Sequence, residues 1–282
     1  MSRWFFLIII VAVVFPVSID AEEQIHILFT SNSNGKIENC NCPDIPYGAL
    51  ERRAEYIAKY KEQYPETIVL DNGDNFLHGM REEEKSLVTR IFSLIPYDLI
   101  NVGDQDVAFG NEANVSSTGI VREQGTPVLI ERGDTKISVL PVAHPATTRF
   151  YADGTFKELP FDDPLPQIEQ WVQDINGKGV LAILLSHSGY EQDVEYARQF
   201  PEITLIIGGH SQTVIDTVNL INGVAVQQAG GNAEYVGEII FARRNGDFEI
   251  TSYQLHPMNE TIGAHPEVAK WIERYHQTYP RK

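Results

Sequence analysis

Four residues of the types that bind metal ions each follow a predicted β-strand. They are Asp74, Asp104, His187 and His210. In open α/β sheets, ligands bind at the carboxyl ends of strands, on loops that a rigid scaffold holds in place. Taken singly, a Gly-Asp after a strand is more often a turn, and a lone His there is more often a hydrogen-bonded structural residue. Four of them at strand ends predict a shared site, and two carboxylates with two imidazoles suit Mn²⁺, Zn²⁺ or Fe.

The elements that must position these residues alternate between strand and helix patterns. Short runs rich in β-branched and aliphatic residues predict strands at 25–30, 67–70, 99–102, 127–130, 136–142, 180–185, 203–207, 224–228, 235–243 and 248–255. Apolar residues at helical spacing predict helices at 51–64, 82–94, 164–175, 194–200 and 266–279. No segment resembles an interdomain linker. The pattern therefore predicts one α/β domain whose C-terminal half is rich in strands.

The composition excludes several classes of partner. The chain has 282 residues, with 39 Asp and Glu against 22 Lys and Arg, which gives a formal net charge of −17. Such a chain repels nucleic acid and anionic membrane surfaces, so we expect neither as a partner. Hydrophobic residues make up 43% of the chain, which is typical of a globular protein and not of a disordered one. Protein partners and the oligomeric state stay open.

The N-terminus has the pattern of a secretory signal peptide. Arg3 precedes an apolar run at 4–17, and the small residue Ala21 then offers a cleavage point before Glu22. The run is shorter than the ~20 apolar residues that span a membrane. An uncleaved anchor is the alternative. We expect a signal peptide at 1–21 and a mature domain at 22–282, periplasmic or secreted, with no stable membrane insertion after cleavage.

Six stretches of sequence carry a family resemblance. They lie at 27–35, 72–76, 102–106, 186–189, 206–212 and 228–237, and one of them contains a His-Ser-Gln triplet after a double glycine. Together they resemble the calcineurin-like metallophosphoesterases, in particular the catalytic domain of the periplasmic 5′-nucleotidases and UDP-sugar hydrolases. The resemblance covers about residues 25–255. It implies a four-layer α-β-β-α metallophosphoesterase sandwich in a single domain, a small anionic ester as substrate, and one or two divalent metal ions.

The resemblance also implies roles for single residues. In the family, the residue that matches Asp74 bridges two metal ions, and both the His and the Gln of the His-Ser-Gln triplet are ligands. The candidate metal ligands are Asp74, Asp104, His187, His210, Gln212 and Asn32. The candidate catalytic residues are Asp74, Asp104 and Gln105. The family's C-terminal nucleotide-binding domain has no match in the sequence, so we expect none.

The chain departs from the family's pattern at the ligands. The family's Asp-x-His motif is matched by Asn32 and Asn34, and a ligand Asn is matched by Asp104. One carboxylate is lost and one is gained, so the ligand charge is unchanged. That favours a retained metal, and coincidence is the alternative. Because a carboxamide is a weaker ligand than an imidazole, we expect the ion held by the four strand-end residues to bind more tightly than an ion near Asn32.

A second departure concerns the proton donor. The family uses a His held by an Asp, and the matching residues here are Gln105 and Ala108. A glutamine can donate a neutral hydrogen bond but cannot give up a proton. Since general acid catalysis contributes ~10²–10⁴-fold, we expect slow hydrolysis of ordinary nucleotides and a smaller loss for esters with good leaving groups.

Cys40 and Cys42 are the only cysteines, and they lie just after the first matching stretch. Three interpretations stay open: a structural disulfide, a reactive redox pair, or thiolate ligands for a soft metal. The main functional hypothesis is a metal-dependent phosphoesterase-like hydrolase. The alternatives are a thiol-redox or sulfur-handling protein that uses Cys40 and Cys42, and a non-catalytic binding domain on the same fold.

Overall fold

The computed structural model of the chain describes residues 23–39, 46–110, 124–156, 158 and 160–280. The predicted signal peptide at 1–21 and the cysteines Cys40 and Cys42 lie outside these residues and stay predictions. Within the described part, strands and helices alternate as the sequence predicts. They form one α/β domain with two mixed sheets.

The first sheet has five strands. They are β1 (Gln24–Thr30), β2 (Ile68–Asp71), β3 (Leu99–Ile100), β10 (Tyr235–Arg244) and β11 (Asp247–Pro257). Their order across the sheet is β11-β10-β1-β2-β3. Strands β1, β2 and β3 run parallel, whereas β10 is antiparallel to both of its neighbours. The carboxyl ends of β2 and β3 therefore lie at one edge of the sheet.

The second sheet has six strands. They are β4 (Val128–Arg132), β5 (Thr135–Ala143), β6 (Leu181–His187), β7 (Leu205–Gly208), β8 (Leu220–Ile221) and β9 (Val224–Gln227). Their order is β4-β5-β6-β7-β9-β8, with β5, β6, β7 and β9 parallel. Every residue of β6 is buried. Its continuous apolar run is what a central parallel strand requires, because helices and a second sheet cover its two faces.

Six α-helices and one 3₁₀-helix connect the strands within the described residues. They are α1 (Leu50–Gln63), α2 (Glu82–Leu94), α3 (Asp104–Phe109), the 3₁₀-helix (Pro145–Phe150), α4 (Leu165–Ile175), α5 (Tyr190–Gln199) and α6 (Pro266–Thr278). The long helices are amphipathic. In α4, for example, the buried residues Ile168, Trp171 and Val172 share one face.

Three apolar cores define four layers. The middle core lies between the two sheets and includes Ile27 and Ile183. On the outer face of the first sheet, α1, α2 and α6 pack through residues such as Ile57 and Trp271. On the outer face of the second sheet, α4 and α5 pack around Trp171. The predicted α-β-β-α sandwich is confirmed, and each fully buried aliphatic side chain contributes about 1.5–3 kcal/mol to its stability.

Five elements differ from the sequence predictions. Helix α5 begins at Tyr190 and not at residue 194, because its first turn buries Asp193 and so lacks the expected apolar spacing. Strand β3 ends at Ile100, and Asp104 is the first residue of a helix. The sequence also missed α3, the 3₁₀-helix and β8, which are too short to show a periodic pattern.

Among the described residues, no helix is both long enough and apolar enough to cross a membrane.

Candidate metal centre

Four side chains from the two sheets converge at one edge of the sandwich. Asp74 follows β2 and Asp104 begins α3 just after β3, whereas His187 ends β6 and His210 follows β7. One ligand atom from each residue lies within 4.8 Å of the corresponding atoms of the other three. Asp74, Asp104 and His187 are buried, and His210 is partly exposed. The cluster therefore lies at the base of an opening to solvent.

Two glycines allow this close approach. A Cβ atom at position 103 would collide with the carboxylate of Asp74, and one at position 209 would lie 2.8 Å from Nδ1 of His187. Real Cβ atoms do not reach such distances, so side chains at these positions would displace the ligands.

The hydrogen bonds of His187 show what the cluster requires. Its Nδ1 lies 2.7 Å from the backbone oxygen of Asn72, which can only accept, so Nδ1 carries a proton. Its Nε2 lies 3.0 Å from Oδ1 of Asp104 and 3.3 Å from Oδ2 of Asp74. In the neutral ring, a lone pair on Nε2 would face two carboxylates that also only accept. Positive charge must therefore lie at this point, as a proton or as a metal ion.

The ionisation of the cluster agrees with that geometry. Burial lowers the pKa of His187, but the carboxylates of Asp74 and Asp104 outweigh burial and raise this pKa well above its usual range. Burial raises the pKa of Asp104, but hydrogen bonds from His187 and His210 outweigh it and hold that pKa well below its usual range. A divalent ion that takes the place of the proton satisfies the same acceptors. The donor set thus fits a divalent cation, with His187 oriented through its backbone contact as metal-binding histidines are.

Tyr151 fixes the orientation of Asp104. Oδ1 of Asp104 lies 3.0 Å from Nε2 of His187 and 2.9 Å from Nδ1 of His210. Its other oxygen, Oδ2, accepts a 2.6 Å hydrogen bond from the Tyr151 hydroxyl. Burial and the bonded carboxylate raise the pKa of Tyr151, so the phenol keeps its proton and acts as a donor. Only Oδ1 is then directed at the cluster.

Asp106 holds the backbone on both sides of the cluster. Its carboxylate accepts backbone N–H bonds from Asp74 at 2.8 Å, Asn75 at 2.6 Å and Gly103 at 2.8 Å. It thereby ties the loop after β2 to the start of α3. Burial and the nearby charge of Asp74 raise the pKa of Asp106 to about 7.

Two buried amides join the sheets beneath the cluster. Asn72 donates to the backbone oxygens of Ser186 and Ile207, at 2.6 and 2.9 Å. Asn101 donates to Asn72 and to the backbone oxygens of Val142 and Leu185, at 2.8–2.9 Å. Both asparagines directly follow strands of the first sheet, β2 and β3, and all four backbone oxygens belong to strands of the second. This pair, here called the asparagine staple, sets the relative position of the two sheets at their carboxyl ends.

The backbone around the cluster is unusual. Five candidate site residues that are not glycine adopt positive φ angles, at 49° for Asn32 and Asn34, 58° for Asp74, 65° for His210 and 54° for Gln212. Asparagine, aspartate and histidine tolerate this left-handed region better than most residues. Strained backbone of this kind persists where the surrounding structure enforces it, and it concentrates at functional sites.

The amide candidates bond to one another and to the backbone. The side-chain oxygen of Asn32 accepts from the backbone N–H of His210 at 3.0 Å, and its Nδ2 donates to Gly230 O at 3.0 Å. Nε2 of Gln105 donates to Oδ1 of Asn34 at 2.8 Å and to Oδ2 of Asp74 at 3.0 Å. Gln105 is thus a neutral donor directed at Asp74.

A cleft of about 550 Å³ opens above the cluster. Its polar floor includes Asp74, Asp104, Gln105, His210 and Gln212, and its walls include His78, Phe109, Phe150 and Tyr151. This volume lies in the range of small-molecule sites, which commonly combine apolar walls with a few polar groups.

The sequence missed Tyr151, Asp106 and the asparagine staple. Tyr151 lies far along the chain from Asp104, in a loop without any periodic pattern. Asn72 and Asp106 fall in stretches that resemble the family, but only their burial and partners show what they do.

Known proteins resemble this chain in sequence and in fold. No family model matches the chain. The silent protein UshA(0) of Salmonella typhimurium is 24% identical over 292 residues, covering 85% of this chain and 53% of its own length. The chain therefore spans about half the length of that curated relative.

Solved structures share the fold. A 5′-nucleotidase precursor from Thermus thermophilus has a TM-score of 0.74 at 17% identity, covering 91% of this chain and 59% of its own. The calcineurin-like phosphoesterase YfkN from Bacillus subtilis has a TM-score of 0.71 at 16% identity, covering 91% of this chain and 98% of its own. The chain is thus similar in sequence to UshA proteins, and it shares its fold with a 5′-nucleotidase precursor and a calcineurin-like phosphoesterase.

Proposed function

We propose that the chain is a metal-dependent hydrolase of small anionic phosphoesters. The observation that carries this proposal is the cluster of Asp74, Asp104, His187 and His210, with ligand atoms within 4.8 Å of one another at the base of a cleft. The relatives named as nucleotidases and phosphoesterases support the same class of reaction.

The four clustered residues hold one divalent ion, of Mn, Zn or Fe. When bound, such an ion supplies a Lewis acid and a water of lowered pKa. Asp74 and Asp104 contribute the negative charge that attracts it, and Tyr151 keeps one oxygen of Asp104 turned away from it. Asn32 and Gln212 are candidate ligands for a second, weaker ion.

The substrate's phosphoryl group lies on the polar floor of the cleft. Gln105 already donates its side-chain N–H groups to Asp74 and Asn34 and transfers no proton, so departure of the leaving group receives little assistance from it. We propose that the reaction takes place in the periplasm or outside the cell, after removal of residues 1–21. No observation on the described residues favours the thiol-redox or binding-domain alternatives.

Metal content and turnover test the proposal together. The full chain, exported and purified without chelator, is analysed by elemental mass spectrometry beside Asp74→Ala and the control Asp134→Ala, which changes an exposed aspartate far along the chain. We expect about one equivalent of Mn, Zn or Fe and metal-dependent phosphate release, both lost only in Asp74→Ala. A wild-type protein that is free of metal and refuses added metal would exclude the hydrolase.

A further inference from the structure

Three aromatic rings that line the cleft, those of His78, Phe109 and Tyr151, pack in a row that Phe156 extends outside the cleft. The centroids of His78 and Phe109 lie 5.1 Å apart, those of Phe109 and Tyr151 5.6 Å apart, and those of Tyr151 and Phe156 5.1 Å apart. These are distances at which aromatic pairs attract one another. We call His78, Phe109, Tyr151 and Phe156 the aromatic row.

The aromatic row contacts the candidate metal ligands through Tyr151. Its member Tyr151 donates a 2.6 Å hydrogen bond to Asp104, which itself contacts His187 and His210. A molecule whose phosphoryl group sits on the cluster therefore has its next atoms beside these rings.

The cleft also exposes a large ring to solvent. Phe150 lines it and is 75% exposed, although it is the last residue of a 3₁₀-helix whose Thr147 and Thr148 are buried. The cleft, at about 550 Å³, is larger than a phosphate group needs. A flat apolar group would fill the remaining space and cover Phe150.

A separate observation concerns the departing oxygen. Gln105 lines the cleft beside Asp74, its amide nitrogen donates to Asp74 and Asn34, and an amide has no acidic proton to give. A leaving group that departs beside Gln105 receives no proton from that side chain and departs most readily if it stabilises its own negative charge. Aromatic alcohols do this far more readily than aliphatic ones, because the ring delocalises the charge.

Both observations indicate the same substrate class, and we propose that this chain cleaves aryl phosphate monoesters. This inference rests on the proposed function. In the reaction, the bond between phosphorus and the aryl oxygen breaks, and its electron pair stays on that oxygen as a phenolate. The oxygen of one water bonds to phosphorus, and both protons of that water remain with the phosphate. The aryl monoester dianion and water thus give phenolate and dihydrogen phosphate.

Butyl, benzyl and phenyl phosphate test the two parts of the proposal separately: recognition of the ring and the need for an acidic leaving group. Butyl and benzyl phosphate release alcohols of similar acidity, but only benzyl phosphate carries a flat ring. Benzyl and phenyl phosphate both carry a ring but differ strongly in the acidity of the alcohol. With metal-loaded protein, we expect a KM for benzyl phosphate about two- to tenfold below that for butyl phosphate. We expect a single-turnover rate for phenyl phosphate at least about a hundredfold above that for benzyl phosphate.

A binding measurement tests the contact between ligand ring and cleft without any turnover. Calorimetry with benzylphosphonate and butylphosphonate should show about two- to tenfold tighter binding of the aromatic compound. Phe150→Ala and Phe109→Leu should remove this preference. Leu129→Ala is the matched control, because Leu129 is a 58% exposed apolar residue outside the cleft, and it should leave the preference intact.

The outcomes distinguish this inference from the proposed function. Equal affinities for the two phosphonates, or equal rates for the phenyl and benzyl esters, would overturn the aryl proposal while phosphate release stays metal-dependent. Failure to bind any phosphonate and to hydrolyse any ester, with or without added metal, would overturn the proposed function itself.

Discussion

The candidate metal centre has two halves that differ in the chemistry of their side chains. The charged half consists of Asp74, Asp104, His187 and His210, and the amide half consists of Asn32, Asn34, Gln105 and Gln212. In the charged half, acceptors face one another and require a cation. In the amide half, Asn34 bonds to Gln105 at 2.8 Å and to Asn232 at 3.2 Å, so donors already meet acceptors.

The backbone does not share this difference. Asn32, Asn34 and Gln212 in the amide half have positive φ angles, as do Asp74 and His210 in the charged half. The loops therefore have the same kind of conformation on both sides, and only the side chains differ. The comparison teaches that the two halves share a backbone conformation, whereas only the charged half has side chains that bind metal ions strongly.

The largest expected effect is on metal affinity. It is tested by one alanine substitution in each half, at two residues of the same loop. His210 and Gln212 both have positive φ angles, so alanine imposes similar backbone strain at either position. His210→Ala should weaken binding of Zn²⁺ or Mn²⁺ by about a hundredfold or more, and Gln212→Ala by less than about tenfold. Calorimetric titration measures both. Equal losses would show that the two halves hold the metal alike.

A second change affects only the orientation of a ligand. Tyr151→Phe removes the hydroxyl that holds Oδ2 of Asp104 and keeps the ring. Metal affinity should fall by about 10- to 100-fold, the usual cost of losing a group that orients a ligand. Visible spectra of the Co²⁺ form should change as well. The control Tyr253→Phe loses a phenol hydrogen bond to Ile215 and should bind metal normally.

A third change strengthens the amide half. Asn34→His places an imidazole at a backbone position that histidine tolerates, since its φ is 49°. A second metal ion should then bind at least about tenfold more tightly than in the wild type, which is a gain of roughly 1.4 kcal/mol in binding free energy. Metal stoichiometry by elemental analysis, rising from one toward two, is the measurement. An unchanged stoichiometry would mean that the side chain at position 34 does not face the second site.

The smallest expected effect concerns a buried carboxylate outside both halves. Burial raises the pKa of Asp193 from 3.8 to about 8, although Gln228 donates to it at 3.1 Å. Between these values the folded state binds a proton that the unfolded state releases, so this group's contribution to stability falls as pH rises from about 4 to 8.

Urea unfolding at pH 5.5 and 8 measures this contribution. Asp193→Asn should gain stability relative to the wild type as pH rises across that window, and the exposed Asp134→Asn should show no such shift. A constant difference between Asp193→Asn and wild type at both pH values would contradict the raised pKa.

The sequence predicted the alternation of elements well because long buried segments have a clear period. Strand β6 and helix α4 are examples, and the ends of such strands located Asp74 and His187. Residues that act through partners distant in the chain were not predictable. Tyr151 meets Asp104 only after folding, and the first turn of α5 is set by the burial of a polar residue, Asp193.

The asparagine staple has a consequence for stability. Asp74 and Asp104 come from the first sheet, His187 and His210 from the second, and the staple holds those two layers in register just below them. An ion bound by all four residues would cross-link the sandwich. Separating the sheets would then require releasing the ion, so the free energy of unfolding should rise with the logarithm of free metal concentration above Kd. The melting temperature of the whole domain would thus report occupancy of a single site.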